Sequence, residues 1–125
     1  LGKALIKSAE LITGKEENII SLGLSHGDGI DYFTEDRKQK INQLNGPDGV
    51  LVLLDFLGGT PANCTIVNMA ELRNAMEIQC VTGVNLAMLL EAILSRKEVK
   101  LDELVNICIN SGKESIKNLY DSIIK

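Results

Sequence analysis

The sequence predicts an α/β protein, a doubly wound parallel sheet with helices on both faces, and three observations carry that expectation. Segments with apolar residues at helical spacing alternate with short β-rich runs in the order α-β-α-β-α-β-α-α. Val50-Leu51-Val52-Leu53-Leu54 is an unbroken apolar run bounded by turns, the pattern of a strand covered on both faces. The length, 125 residues with 45% hydrophobic and 24% charged, suffices for one buried core and argues against a second, so residues 1–125 read as a single domain.

Each element has a local reason. Residues 1–13 place Leu5, Ile6, Ala9, Leu11 and Ile12 at helical spacing, and Gly14 stops the helix. Residues 19–24 are short and β-rich and read as a strand. Asp28-Gly29-Ile30-Asp31 caps a helix reaching about Leu44, with Phe33, Ile41 and Leu44 on one side, and Asn45-Gly46-Pro47-Asp48-Gly49 breaks it. The apolar strand 50–54 ends at Asp55. Phe56-Leu57-Gly58-Gly59 then turns the chain, and Thr60-Pro61 supplies an N-cap followed by the preferred first residue of a helix reaching about Asn74. Residues 77–82 form the next strand, Gly83-Val84-Asn85 turns into a helix over 86–95, and 101–125 is a helical tail that Gly112 kinks or divides. Such a layout ordinarily opens on a strand, whereas this one opens in a helix, so the domain reads as lacking its first strand.

Composition removes several function classes. The net charge of −4, without a block of like charge, gives a polyanion no steering, and 3% aromatics leave few platforms for stacked bases, which speaks against nucleic acid. No apolar run approaches the roughly eighteen residues of a membrane span, so direct membrane insertion is not expected and the chain reads as cytoplasmic. Cys64, Cys80 and Cys108 lack metal-ligand spacing and lie in apolar segments, the setting of buried free thiols; neither a metal nor a cofactor is expected.

In an open α/β sheet, ligands bind outside the carboxyl ends of the strands. Three loops qualify: Ser25-His26-Gly27-Asp28, the stretch 55–60, and Thr82-Gly83-Val84-Asn85. In the middle loop Gly58 and Gly59 let backbone approach a ligand, Thr60 adds a hydroxyl, and the helix at Pro61 offers unpaired N–H groups, together an anion pocket. The same residues also satisfy an ordinary strand-to-helix turn with a threonine cap. Asp55, at the strand end, can accept an imidazole Nδ1 proton and leave Nε2 as the nucleophile, or can be a solvated carboxylate. Gly83 and Asn85 offer a second wall to the site, Asn85 being equally suited to a plain N-cap. His26 is the single histidine and lies on the same rim. The loop lacks both GxxxxGK[ST] and GxGxxG, which removes the usual warrants for a nucleotide.

Read together, VLVLLDFLGGTPAN from Val50 and VTGVNLAMLLE from Val81 resemble the IIA component of the mannose family of the phosphoenolpyruvate-dependent sugar phosphotransferase system. Asp55, Gly58-Gly59-Thr60-Pro61, Asn63, Gly83, Asn85 and Met88-Leu89 match the family pattern, with Ala87 in place of the usual proline. LIKSAELITGKEENI and SGKESIKNL extend the likeness over nearly the whole chain. The resemblance implies a phosphoryl carrier that takes phosphate from HPr on a histidine and passes it to a IIB component during sugar uptake, and it points to a homodimer. It gives Asp55 the role of holding the histidine's other nitrogen, and gives Thr60 with the loop amides the role of meeting the phosphate. The family's histidine lies in a His-Gly turn immediately ahead of the segment that begins here at Leu1, after a central first strand. His26 occupies a different position and does not inherit the nucleophile role. The identity of the sugar belongs to the membrane components in that system. The alternative on the same scaffold is a non-catalytic domain that senses an anion or binds a partner.

Overall fold

Period-two alternation decides which way each residue of the central strand pair faces. The computed structural model describes residues 1–22, 30–44, 46–55 and 59–124. In it β1 (Val50–Leu53) and β2 (Ile78–Val81) run parallel, with Val50 opposite Ile78 and Leu53 opposite Val81. Val50, Val52 and Ile78 join one apolar cluster with Ile41 and Leu72, while Leu51, Leu53 and Val81 join another with Met88, Ala92, Leu104 and Cys108. Both faces are covered, which is why β1 carries no polar residue.

The helices divide between the two faces. α2 (Ile30–Leu44) packs on α3 (Gly59–Leu72), and their residues Ile41 and Leu72 close the first cluster. α4 (Leu86–Ser95) and α5 (Leu101–Glu114) pack together over the second. α1 (Gly2–Thr13) lies on α4, burying Ala9 against Leu89 and Ile93. A short α6 (Leu119–Ile124) ends the chain with Leu119, Tyr120, Ile123 and Ile124 exposed. The parallel sheet between helical layers is the architecture the alternating pattern implies.

Four details correct the sequence reading. Residues 19–22, expected as part of a strand over 19–24, form no strand; the residue types suit one, but a strand exists through its ladder, and among the described residues β1 and β2 pair only with each other. Residues 23 and 24 lie outside the described residues, as do Asp28 and Gly29 of the expected cap on α2. α3 begins at Gly59 rather than Pro61, so Thr60 stands within the first turn instead of capping it. Proline is tolerated there because first-turn N–H groups have no intrahelical partner. Gly112 does not divide the tail: α5 runs through it, and the break falls at 115–118, where Asn118 Oδ1 accepts from Asp121 N–H at 3.2 Å to start α6. A Cβ at Gly112 would stand 2.8 Å from Met88 Cε, so the missing side chain lets α5 close on α4. Cys64 and Cys108 are buried as expected, whereas Cys80 is only half-buried.

Two fixtures hold the end of the sheet opposite the candidate site. Gly49 has φ +85°, and a Cβ there would meet the Glu77 carbonyl at 2.6 Å, so only glycine fits this turn into β1. Arg96, at the carboxyl end of α4, donates to the Glu17 carbonyl at 2.7 Å and to the Asn18 carbonyl at 3.4 Å, pinning the segment that follows α1. No helix among the described residues is long and apolar enough to cross a membrane.

Candidate functional site

Parallel strands deliver their carboxyl ends to one edge, and the loops leaving β1 and β2 are stitched together there. The Leu54 N–H donates to the Val81 carbonyl at 2.9 Å, and the Leu54 carbonyl accepts from the Val84 N–H at 2.8 Å. Leu54 is buried, and Asp55, one residue on, is exposed. The carboxylate is therefore presented at the rim by a residue whose own backbone is fixed from both sides. α3 starts only four residues later, so the Gly59 N–H that opens it lies within about 14 Å of Asp55 along the chain. The amides of that first turn carry the partial positive charge of a helix start.

The second wall comes from the loop after β2. Gly83 has φ +79°, and a Cβ there would touch nothing within 4 Å, so its glycine answers to backbone conformation and not to crowding. Asn85 caps α4, its Oδ1 accepting from Met88 N–H at 2.9 Å, and its Nδ2 donates to the Gly112 carbonyl at 3.1 Å. The side chain thus ties the rim loop to α5. A hollow of about 190 Å³ opens beside it, between Thr82 and Gly83 on one side and Lys113 and Ile116 on the other.

The structure therefore brings Asp55, Gly83 and Asn85 to one rim, through the Leu54–Val84 hydrogen bond, and starts α3 at Gly59. Gly58, the Thr60 side chain and His26 lie outside the described residues. Sequence reasoning missed Lys113, whose only signal was its place in the SGKE stretch of the tail. It also missed a polar group between α2, α3 and β2. Arg37 is 6% exposed, near Cys64 and Cys80, and burial lowers its pKa from the usual arginine value. Thr34 Oγ1 donates to Cys64 Sγ at 3.0 Å, and Asn68 is fully buried, its amide atoms finding no hydrogen-bond partner among the described residues. In the sequence Arg37 sits in a charged run that looks like a solvated face.

Comparison with known proteins places the chain in a family context. Residues 1–109 match the EIIA-man family model, described as the PTS system fructose IIA component. The chain is 34% identical over 103 residues to the PTS system fructose-specific EIIA component of Bacillus subtilis (strain 168), covering 82% of this chain and 68% of that protein. It is 29% identical over 116 residues to the PTS system mannose-specific EIIAB component of Escherichia coli (strain K12), which is 92% of this chain and 35% of the relative. The chain thus spans about a third of the length of the Escherichia coli EIIAB relatives it matches. Among solved structures, phosphotransferase system component EIIA from Streptococcus agalactiae superposes with a TM-score of 0.86 at 30% identity, covering 96% of this chain and 90% of that one. The mannose/sorbose specific IIA subunit from Enterococcus faecalis gives 0.79 at 25% identity, covering 93% and 84%.

Proposed function

Because the chain belongs to the EIIA-man family of phosphotransferase-system components, we propose that it serves as a cytoplasmic phosphoryl carrier, taking phosphate from HPr on a histidine and passing it to a IIB component during sugar uptake. The observation that carries this reading is the rim itself: an exposed carboxylate at Asp55, one residue beyond a buried, doubly bonded strand end and four residues ahead of a helix start. A carboxylate so placed can accept a hydrogen bond from imidazole Nδ1–H, fix its tautomer and leave the Nε2 lone pair to attack phosphorus as the phosphorus bond to HPr breaks. The charge that develops on the transferring group is met by fixed N–H dipoles of the first turn of α3, with the Thr60 hydroxyl and the Gly58-Gly59 amides as further donors, so no metal is needed for this role. Gly83 and Asn85 close the other side. His26 is not assigned the accepting role in this reading.

The proposed transfer has a direct test. Incubation with labelled phosphoenolpyruvate, enzyme I and HPr should place on the protein, with its accepting histidine present, an acid-labile and alkali-stable label. Asp55→Ala should cut the rate of labelling by about a hundredfold, in line with loss of a group that positions a general base or nucleophile, while His26→Ala leaves it unchanged. Label that survives acid, or that Asp55→Ala does not slow, would overturn the proposal. Retained HPr binding without any label would favour the non-catalytic, partner-binding alternative. The chain is further proposed to act as a homodimer, on the strength of the apolar residues that α6 leaves exposed.

A further inference from the structure

α2 meets α3 through two layers of opposite character. Ile41 and Leu44 on α2 pack with Leu72, Val50 and Ile78 in an apolar cluster. Helical spacing puts Thr34 and Arg37 on the same face of α2, and Cys64 and Asn68 on the Leu72 face of α3, so the neighbouring layer is polar. Thr34 Oγ1 donates to Cys64 Sγ at 3.0 Å, Arg37 is near Cys64 and Cys80, and both Cys64 and Asn68 are buried. Ile41 reaches the strand starts at Val50 and Ile78, while Arg37, about one turn before it, stands near Cys80, two residues along β2. The polar layer therefore lies toward the carboxyl edge of the sheet, the edge that carries Asp55.

The polar layer is the weaker of the two. The Asn68 amide is fully buried, and neither its Nδ2 nor its Oδ1 has a hydrogen-bond partner among the described residues. A buried amide without partners destabilises the closed packing, and parting α2 from α3 lets water reach it. Lys38 and Glu71 pair across the two helices at 2.9 Å, but both side chains are partly exposed, and such a pair holds weakly. Among the described residues α3 is the one element on which α2 packs extensively. Cys108 offers the contrast. It is buried like Cys64, but its surroundings, Val81, Met88, Ala92 and Leu104, are apolar and tie three elements together.

We propose that α2 lifts the half that bears Thr34 and Arg37 off α3 while the sheet and the α4–α5 layer stay folded, and that this opening makes Cys64 a cryptic site for thiol-reactive electrophiles of the activated-disulfide class. Ile41 and Leu44 are the pivot, because their apolar contacts favour staying buried. In the opened form the Cys64 thiol loses its proton to water, and the thiolate attacks one sulfur of the disulfide. A mixed disulfide forms as the electrophile's own S–S bond breaks and its other sulfur leaves as a thiolate. The opening stands apart from the phosphoryl-carrier reading, since it uses neither Asp55 nor a histidine.

Labelling with dithiobis(nitrobenzoate), an aromatic disulfide whose released thiolate is coloured, tests it in full chains that keep one thiol. Cys80→Ala/Cys108→Ala keeps Cys64, Cys64→Ala/Cys80→Ala keeps Cys108, and each rate is taken relative to the same thiol in the unfolded chain. Cys64 should react at least about tenfold faster than Cys108 without denaturant. Its rate should change little in low urea while that of Cys108 climbs, because local opening exposes less surface than global unfolding. Asn68→Leu, which exchanges the unpaired amide for an apolar group of similar size, should slow Cys64 by about fivefold or more relative to Cys108. Thr34→Val, which removes the hydrogen bond to Cys64 and keeps the side-chain size, should speed Cys64 by about threefold and leave Cys108 unchanged. Equal rates at the two thiols with one urea dependence, or effects of Asn68→Leu and Thr34→Val shared equally by both, would overturn the proposal by showing that only global unfolding exposes Cys64.

Discussion

At Asn85 the sequence shows a cap and the tertiary structure adds a tie. Its amide both caps α4 and reaches across to the Gly112 carbonyl, so Asn85→Ala removes two hydrogen bonds at once. Urea unfolding should register a loss of about 1–3 kcal/mol, while Asn85→Ser, which keeps the cap, should recover about half of it. The cap was readable from the residue type before a helix; the bond to Gly112 was not, because its partner lies 27 residues away. The thiols carry the pH dependence at this scale. Burial pushes the Cys80 and Cys108 thiols up, in both cases as the leading cause. A raised folded-state value means the contribution is whole below the unfolded thiol value of about 8.5 and is lost as pH rises from there through the folded value. Guanidinium midpoints should therefore fall more between pH 7.5 and 9.5 in the parent than in Cys80→Ala/Cys108→Ala, and an equal fall would show that other groups set the alkaline limit.

Among elements, the turn into β1 is the most constrained. Gly49→Ala would set a Cβ against the Glu77 carbonyl and Leu101 in a left-handed conformation, and neither a backbone oxygen nor the fixed strand can give way. A loss of about 2–4 kcal/mol is expected, read as a lowered thermal midpoint. Gly112→Ala meets only the flexible end of Met88, and helix propensity favours alanine by about 1 kcal/mol, so its net effect on the midpoint should be much smaller. Both glycines look like breakers in the sequence; one makes a turn and the other a helix contact, and only the neighbouring element distinguishes them. The same lesson applies to 19–22. Its Ile-Ile start suits a strand, but local preference cannot supply the adjacent strand on which pairing depends.

For the whole molecule, exposure of Leu119, Tyr120, Ile123 and Ile124, each 63–72% accessible, leaves an apolar end that a lone chain does not cover. Sedimentation equilibrium should return about twice the 13.6 kDa chain mass, and Ile123→Ser/Ile124→Ser should lower it toward the monomer. A monomer in the parent would sink the homodimer proposal. The sequence by itself determined the α/β class, the buried strand 50–53, the helix over 86–95 with its asparagine cap, and the position of Asp55 at a strand end, because these follow from hydrophobic period and turn chemistry within a few residues. Only the tertiary structure decided that Leu54 joins two loops into one rim, that Lys113 borders it, that Arg37 is buried rather than solvated, and that β1 pairs, among the described residues, with β2 alone. Those facts depend on hydrogen bonds and packing between segments far apart in the chain, and no local pattern encodes which distant partner a backbone group will meet.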